Sequence, residues 1–203
     1  MAGTTIAFDA TASGLQTENV DIFSEAQSET ANYGSGNSNL NDPNWFATGN
    51  GWRGESDATT SSNTGPSAPQ SGDDYIYLET SNSTDDYLTS STISGSNLNI
   101  SFYYHMYGSK VGTLKLQSFD GVSWTDRWSI SGQQHGSSDA DWTYAFFDLS
   151  SYSITKLRFH GTATGDYYGD IALDNIHVFS SSSVNYLWST DASNGTAGWS
   201  ATN

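Results

Sequence analysis

Cysteine is absent from this chain, and disulfide frameworks, thiolate zinc sites and thiol nucleophiles are excluded with it. That absence does not choose a compartment. Basic residues are almost as scarce: 6 Lys and Arg stand against 22 Asp and Glu, a formal net charge of −16. Phosphate-bearing partners need clustered cations on the protein, so neither nucleic acid nor an anionic membrane is expected as a partner. The carboxylate excess fits solubility, cation binding or a saline medium that screens it. No apolar run approaches the roughly 20 residues of a membrane span. The opening MAGTTIAFDATASG has neither the basic n-region nor the apolar core of a secretory signal. The expectation is therefore either a segment of a larger secreted protein or a chain made and assembled in the cytoplasm. Helical periodicity of useful length is missing, as are H-E-x-x-H, G-x-S-x-G and EF-hand patterns. No catalytic residues are assigned, and the chain is not expected to be an enzyme.

Aromatics and turn formers are what the chain does have. Hydrophobic residues make up only 35%, but 7 Trp, 12 Tyr and 9 Phe are among them, each able to bury on the order of 150–250 Å². Ser, Thr, Asn, Gly and Asp fill most of the remainder, a mixture that favours strands and turns. From Leu98 to Tyr107 the alternation is nearly complete: Leu98, Ile100, Phe102, Tyr104 and Met106 face one way, and Asn99, Ser101, Tyr103, His105 and Tyr107 the other. Aromatics on both faces mark a central strand. Further strands are expected at Tyr75–Glu79, around Leu114 and Leu116, and at Arg127–Ile130, Thr143–Leu149, Lys156–His160 and Ile171–Phe179, with an Asp120-Gly121 turn among them. Short strands at this spacing argue for a sandwich. Glu29–Asn50 and residues 55–74 read as loops, and Ile6, Phe8, Leu15, Val20, Ile22 and Phe23 as short strands or docking anchors. The division expected is a polar N-terminal extension over 1–40, a β-sandwich over 41–180 and a C-terminal extension or linker over 181–203, beginning within the Ser180–Ser183 run.

The strand FYYHMYG, Phe102–Gly108, resembles the MAM family found in meprins, neuropilins and receptor-type tyrosine phosphatases. Other segments fit that pattern in order: Gly51-Trp52-Arg53, Thr64-Gly65-Pro66, YIYLETS at Tyr75–Ser81, Gly112 with Leu114, Trp128, Gly132-Gln133, Trp142 and GDIALDNI at Gly169–Ile176. The resemblance covers about residues 45–179. It implies an all-β fold, a jelly-roll β-sandwich of two antiparallel sheets, with adhesion or oligomerisation as its role. The cysteines of animal members are missing, which resembles bacterial and viral versions. The Asp-His-Thr that often follows the Thr-Gly-Pro turn is replaced by SAPQ at Ser67–Gln70.

Asp174 stands where the family carries a metal-linked acid. With Glu79, Asp170, Asp73 and Asp74 it forms the candidate ligand set for one structural Ca²⁺, which takes about 6–8 oxygens. The alternative is solvated turn carboxylates. Tyr167, Tyr168, Trp124 and Tyr152 fall in or near loops, where rings beside Asp and Asn suit sugar stacking; packing is the alternative. Two functions follow. One is a non-catalytic structural or adhesion protein held by protein subunits in an assembly, with a virion decoration, fibre or tail-associated protein as its specific form. The other is a carbohydrate-binding or adhesion module of a secreted multimodular bacterial protein, with glycans as partners. The corresponding locations are a virion, or the cell surface and extracellular space.

Overall fold

Side chains at i and i+2 of an extended segment share a face, and the alternation in this chain emerges as strands. The computed structural model describes residues 19–24, 38–40 and 42–181, and no helix occurs among them. The strands are β1 (Asn19–Ser24), β2 (Ser38–Asn39), β3 (Trp45–Ala47), β4 (Trp52–Glu55), β5 (Tyr75–Leu78) and β6 (Asp85–Ser90). They continue as β7 (Leu98–His105), β8 (Val111–Phe119), β9 (Trp124–Ser131), β10 (Thr143–Asp148), β11 (Lys156–Ala163) and β12 (Ile171–Ser181). A 7-stranded sheet runs β10-β7-β12-β5-β4-β2, with β1 also pairing β12; a 5-stranded sheet runs β3-β6-β11-β8-β9. From β2 onward the chain crosses between sheets at every connection except β4–β5 and β8–β9. This is a jelly-roll sandwich, all-β as expected, and its compact unit spans Asp21–Ser180.

The core lies between the sheets. Leu98, Ile100, Phe102, Tyr104 and Met106 are buried on one side. Leu88, Leu114, Leu116, Leu157 and Phe159 meet them from the other. Phe102 meets Phe159 edge-on at 4.8 Å between centroids, and Trp45 packs on Phe159 at 5.4 Å. Such pairs add about 0.5–1.5 kcal/mol beyond burial, which is how a chain of modest apolar content closes a two-sheet core.

One local reading needs correction. The supposed loop over Glu29–Asn50 carries β2 and β3. The pair Asp85-Asp86 opens β6, because Asp86 turns its carboxylate onto the N–H groups of Gly49, Gly51 and Tyr87 at 2.9, 2.8 and 2.7 Å. Trp124 is the first residue of β9, directly after the turn at Asp120-Gly121. Most of the expected extensions at 1–40 and 181–203 lies outside the described residues, apart from β1, β2, Leu40 and Ser181.

Candidate functional site

On the outer face of the seven-stranded sheet, described segments cover one half, and on the other half two rings of β10 reach solvent. Tyr75, Tyr77, His105 and Ala172 point outward yet are buried. Trp142 closes over them, edge-on to Tyr75 at 5.6 Å and tilted against His105 at 5.5 Å. His105 also stacks on His135 at 4.2 Å. The Tyr75 hydroxyl donates to the Asp57 carbonyl at 2.6 Å, and that of Tyr77 to Glu79 Oε2 at 3.0 Å. The residue 56–74 segment and the segment ahead of β10 therefore act as a lid over this half.

On the other half Ser101 and Asn99 of β7 are buried, while the neighbouring rings of β10 are half-exposed. Tyr144 lies opposite Tyr103 in register, with ring centroids 5.2 Å apart. Two residues further along β10, Phe146 faces Phe179 of β12 across 6.3 Å. Ser101 and His177 lie opposite each other between these pairs, and Asp148 and Asn99 follow in the same outward rows. Tyr144 and Phe146 are 55% and 49% exposed. Rings held this far in water gain little from burial, and clustered exposed apolar surface marks contact sites. Where the lid meets these strands there is a cleft of about 380 Å³, bounded by Pro69, Gln70, Ser138, Asp139, Asp141 and Trp142. It adjoins the aromatic band on two sides. Trp142 precedes Tyr144 by two residues, and Gln70 donates its N–H at 2.8 Å to Asp174, which stands opposite Tyr103.

The acids singled out from sequence divide between two places. Asp174 Oδ2 accepts the N–H groups of Gln70 and Ser71 at 2.8 and 3.3 Å, and its Oδ1 that of Asn175 at 2.7 Å. Asn175 in turn donates to Gln70 Oε1, and to Ser71 Oγ at 2.8 Å. Burial, aided by the charge of Asp74, pushes the Asp174 carboxyl up to about 7 despite these donors. Asp73 is exposed in the same loop as Asp74. Glu79 and Asp170 lie elsewhere, at the ends of β5 and β12. Glu79 is saturated by hydroxyls of Thr60, Tyr77 and Ser81 and by the Ser81 N–H. Asp170 Oδ1 accepts the N–H and the hydroxyl of Thr80 at 3.0 and 2.9 Å, while its buried Oδ2 has no partner. Burial and the Glu79 charge raise its carboxyl to about 7. One open carboxylate oxygen is far from the 6–8 ligands of calcium, and no three His, Cys, Asp or Glu converge among the described residues. As arranged, these residues do not fit a calcium cage. They staple loops through backbone amides instead, as Asp86 does.

The candidate recognition aromatics are likewise not gathered into one surface. Tyr167 and Tyr168 pair with each other at 4.3 Å. Trp124 lies under the Arg158 guanidinium at 4.0 Å and against Phe119, and Tyr152 carries that of Arg127 at 3.6 Å. The band of Tyr103, Tyr144, Phe146 and Phe179 was missed. Its signal was present in TYAFFD, where Tyr144 and Phe146 alternate with core-facing Ala145 and Phe147.

The fold is a jelly-roll sandwich with half-exposed aromatic rings on one sheet face. The MAM domain profile (meprin/A5/mu) matches residues 38–183, and the chain belongs to that family. Human MAM domain-containing glycosylphosphatidylinositol anchor protein 1 is 34% identical over 80 residues, which is 38% of this chain and 8% of that protein. Its chicken counterpart is 32% identical over 84 residues, again 38% of this chain and 8% of the relative. Among solved structures, the K2 cleaved adhesin domain of Lys-gingipain superposes with a TM-score of 0.54 at 16% identity, covering 78% of this chain and 98% of that domain. That likeness concerns the fold.

Proposed function

We propose that this chain is a non-catalytic recognition module of a multimodular cell-surface or extracellular protein, and that it binds carbohydrate on the half of its seven-stranded sheet where the rings of β10 reach solvent. The observation that carries this reading is the pair of half-exposed rings, Tyr144 and Phe146, backed by Tyr103 and Phe179. Ring faces take the apolar faces of sugars, while His177 and Asp148 carry polar groups between and beside them. The family's adhesive members and the adhesin fold favour this reading over a subunit of an assembly, and neither lends support to a virion. Titration of a glycan panel by calorimetry tests it. Tyr144→Ala with Phe146→Ala is expected to weaken binding at least about tenfold, or about 1.4 kcal/mol. Exposed substitutions shift stability by only about 0.5 kcal/mol, so the fold should persist. Unchanged affinity in a folded double variant would remove the band as the binding site.

In this reading recognition rests on the aromatic rings, and Asp174, Asp170 and Glu79 are held by amides and hydroxyls of the chain. EDTA is therefore expected to leave both the melting temperature and glycan affinity unchanged. A fall of several degrees, restored by added Ca²⁺, would mean that a bound cation stabilises the native state by mass action.

A further inference from the structure

The aromatic band is bordered by carboxylates and lacks a fixed cation. Asp139 and Asp141 bound the cleft at one end. Asp148 closes the β10 row at the other, and Asp174 lies beneath Gln70 at the join. The cations are elsewhere. Arg53, on β4, reaches back to Asn39 Oδ1 at 2.7 Å. Lys115 pairs with Asp126 at 2.8 Å on the other sheet, and Arg158 stacks on Tyr87 and Trp124 there. Arg127 covers Tyr152, Lys156 begins β11 and Lys110 precedes β8. A carboxylate or sulfate on a ligand would thus meet like charge at both ends of the site with no guanidinium or ammonium to receive it.

Spacing adds a second constraint. Tyr144 and Phe146 are two residues apart on β10, about 6.8 Å at the antiparallel rise, while Phe179 stands level with Asn99, four residues along β7 from Tyr103. Two platforms in a row receive consecutive units of a chain better than a single terminal sugar. Resting on the carbohydrate reading above, we propose that the ligand is a linear neutral glycan lying along these rings. One hydroxyl-rich end or side branch enters the cleft between Gln70 and Asp139, and uronate-bearing or sulfated glycans are rejected by the bordering carboxylates.

The test uses the full chain at pH 8, above the ordinary imidazole range. Cellohexaose, xylohexaose, mannohexaose and β-1,4-galactohexaose are titrated beside hexagalacturonate and a heparin hexasaccharide, with the parent monosaccharides as length controls. Expected is binding of at least one neutral hexasaccharide, about tenfold or more tighter than either acidic one and than its own monosaccharide. The exposed double change Asp139→Asn with Asp141→Asn should narrow the ratio of neutral to acidic affinity severalfold. Acidic hexasaccharides binding as tightly as neutral ones would overturn the charge assignment and leave the carbohydrate reading standing. Monosaccharides binding as tightly as hexasaccharides would overturn the linear geometry in the same way. Failure of every saccharide at millimolar concentration would overturn both this proposal and the carbohydrate reading.

Discussion

Gly108→Ala is expected to lower the melting temperature by about 5–20 °C, although it adds a single methyl group. The residue ends the FYYHMYG segment with φ of 140°, a region closed to residues with a side chain at a cost of order 1–3 kcal/mol. The added Cβ would also lie 2.3 Å from the Tyr168 carbonyl oxygen and 2.7 Å from Thr64 Oγ1, and overpacking adds about 1–3 kcal/mol. For a domain of this size each kcal/mol moves the midpoint by roughly 2–4 °C. The surroundings have little freedom to give way. Gly65 N–H donates to the Tyr107 carbonyl at 2.8 Å, as does Thr64 Oγ1 at 3.1 Å. Lys110 N–H holds the Tyr168 carbonyl at 2.9 Å, and Asp170 N–H holds Thr64 Oγ1 at 2.8 Å. Gly136→Ala is the control, since nothing lies within 4 Å of a Cβ there. Equal midpoints for the two variants, measured by scanning calorimetry, would show that the crowding at Gly108 is not real.

That junction explains why the fold was legible. Thr64-Gly65-Pro66, Tyr107-Gly108 and Gly169-Asp170 are far apart in the chain and stood out as separate fragments of one pattern; in the folded domain they are mutual neighbours. The β7 alternation was equally plain, because burial on one face of a strand writes a period of two. The same rule made β10 visible as a strand but left its function hidden. Sequence shows that Tyr144 and Phe146 oppose Ala145 and Phe147, yet whether the outward row is covered depends on where the residue 56–74 lid ends. That limit is set by tertiary contacts such as Gln70 to Asp174. The contacts of the acids were hidden for a related reason. Carboxylates suggest cations when only their number is known, whereas a backbone N–H is present at every residue except proline and leaves no mark in a sequence. Asp86, Asp174 and Asp42 each receive more than one such donor.

Acid should change the stability of His105→Phe far more than that of the parent chain. Burial and the neighbouring His135 hold the His105 imidazole down to about 3, against the opposing carbonyls of Ala140 and Ser137; burial likewise lowers His135. Each is a depressed folded-state pKa. Their contribution is intact above the ordinary imidazole value near 6.5 and is lost as the pH falls below it, because the unfolded chain takes the proton first. Asp170 and Asp174 act in the opposite sense. Raised to about 7 by burial, they hold protons that the unfolded chain releases near 4. Their contribution is complete below that lower value and is lost as the pH rises through 7. Asp42, raised by burial, adds to the same side. Between about pH 4.5 and 6 the two sets oppose each other, so the parent chain should show only a shallow slope. From 6.5 to 8 its stability should fall as the buried acids are forced to ionise with no compensating histidine. His105→Phe removes one proton from the opposing side and keeps a ring against His135 and Trp142. Each unbalanced proton contributes up to about 1.4 kcal/mol per pH unit, so on going from pH 6.5 to 4.5 the variant should gain roughly 2–3 kcal/mol relative to the parent. Urea unfolding across that range reads the slope independently of any constant packing cost of the larger ring. Parallel curves for the two proteins would mean that His105 already carries its proton in the folded state and that the histidine stack beneath Trp142 is open to water.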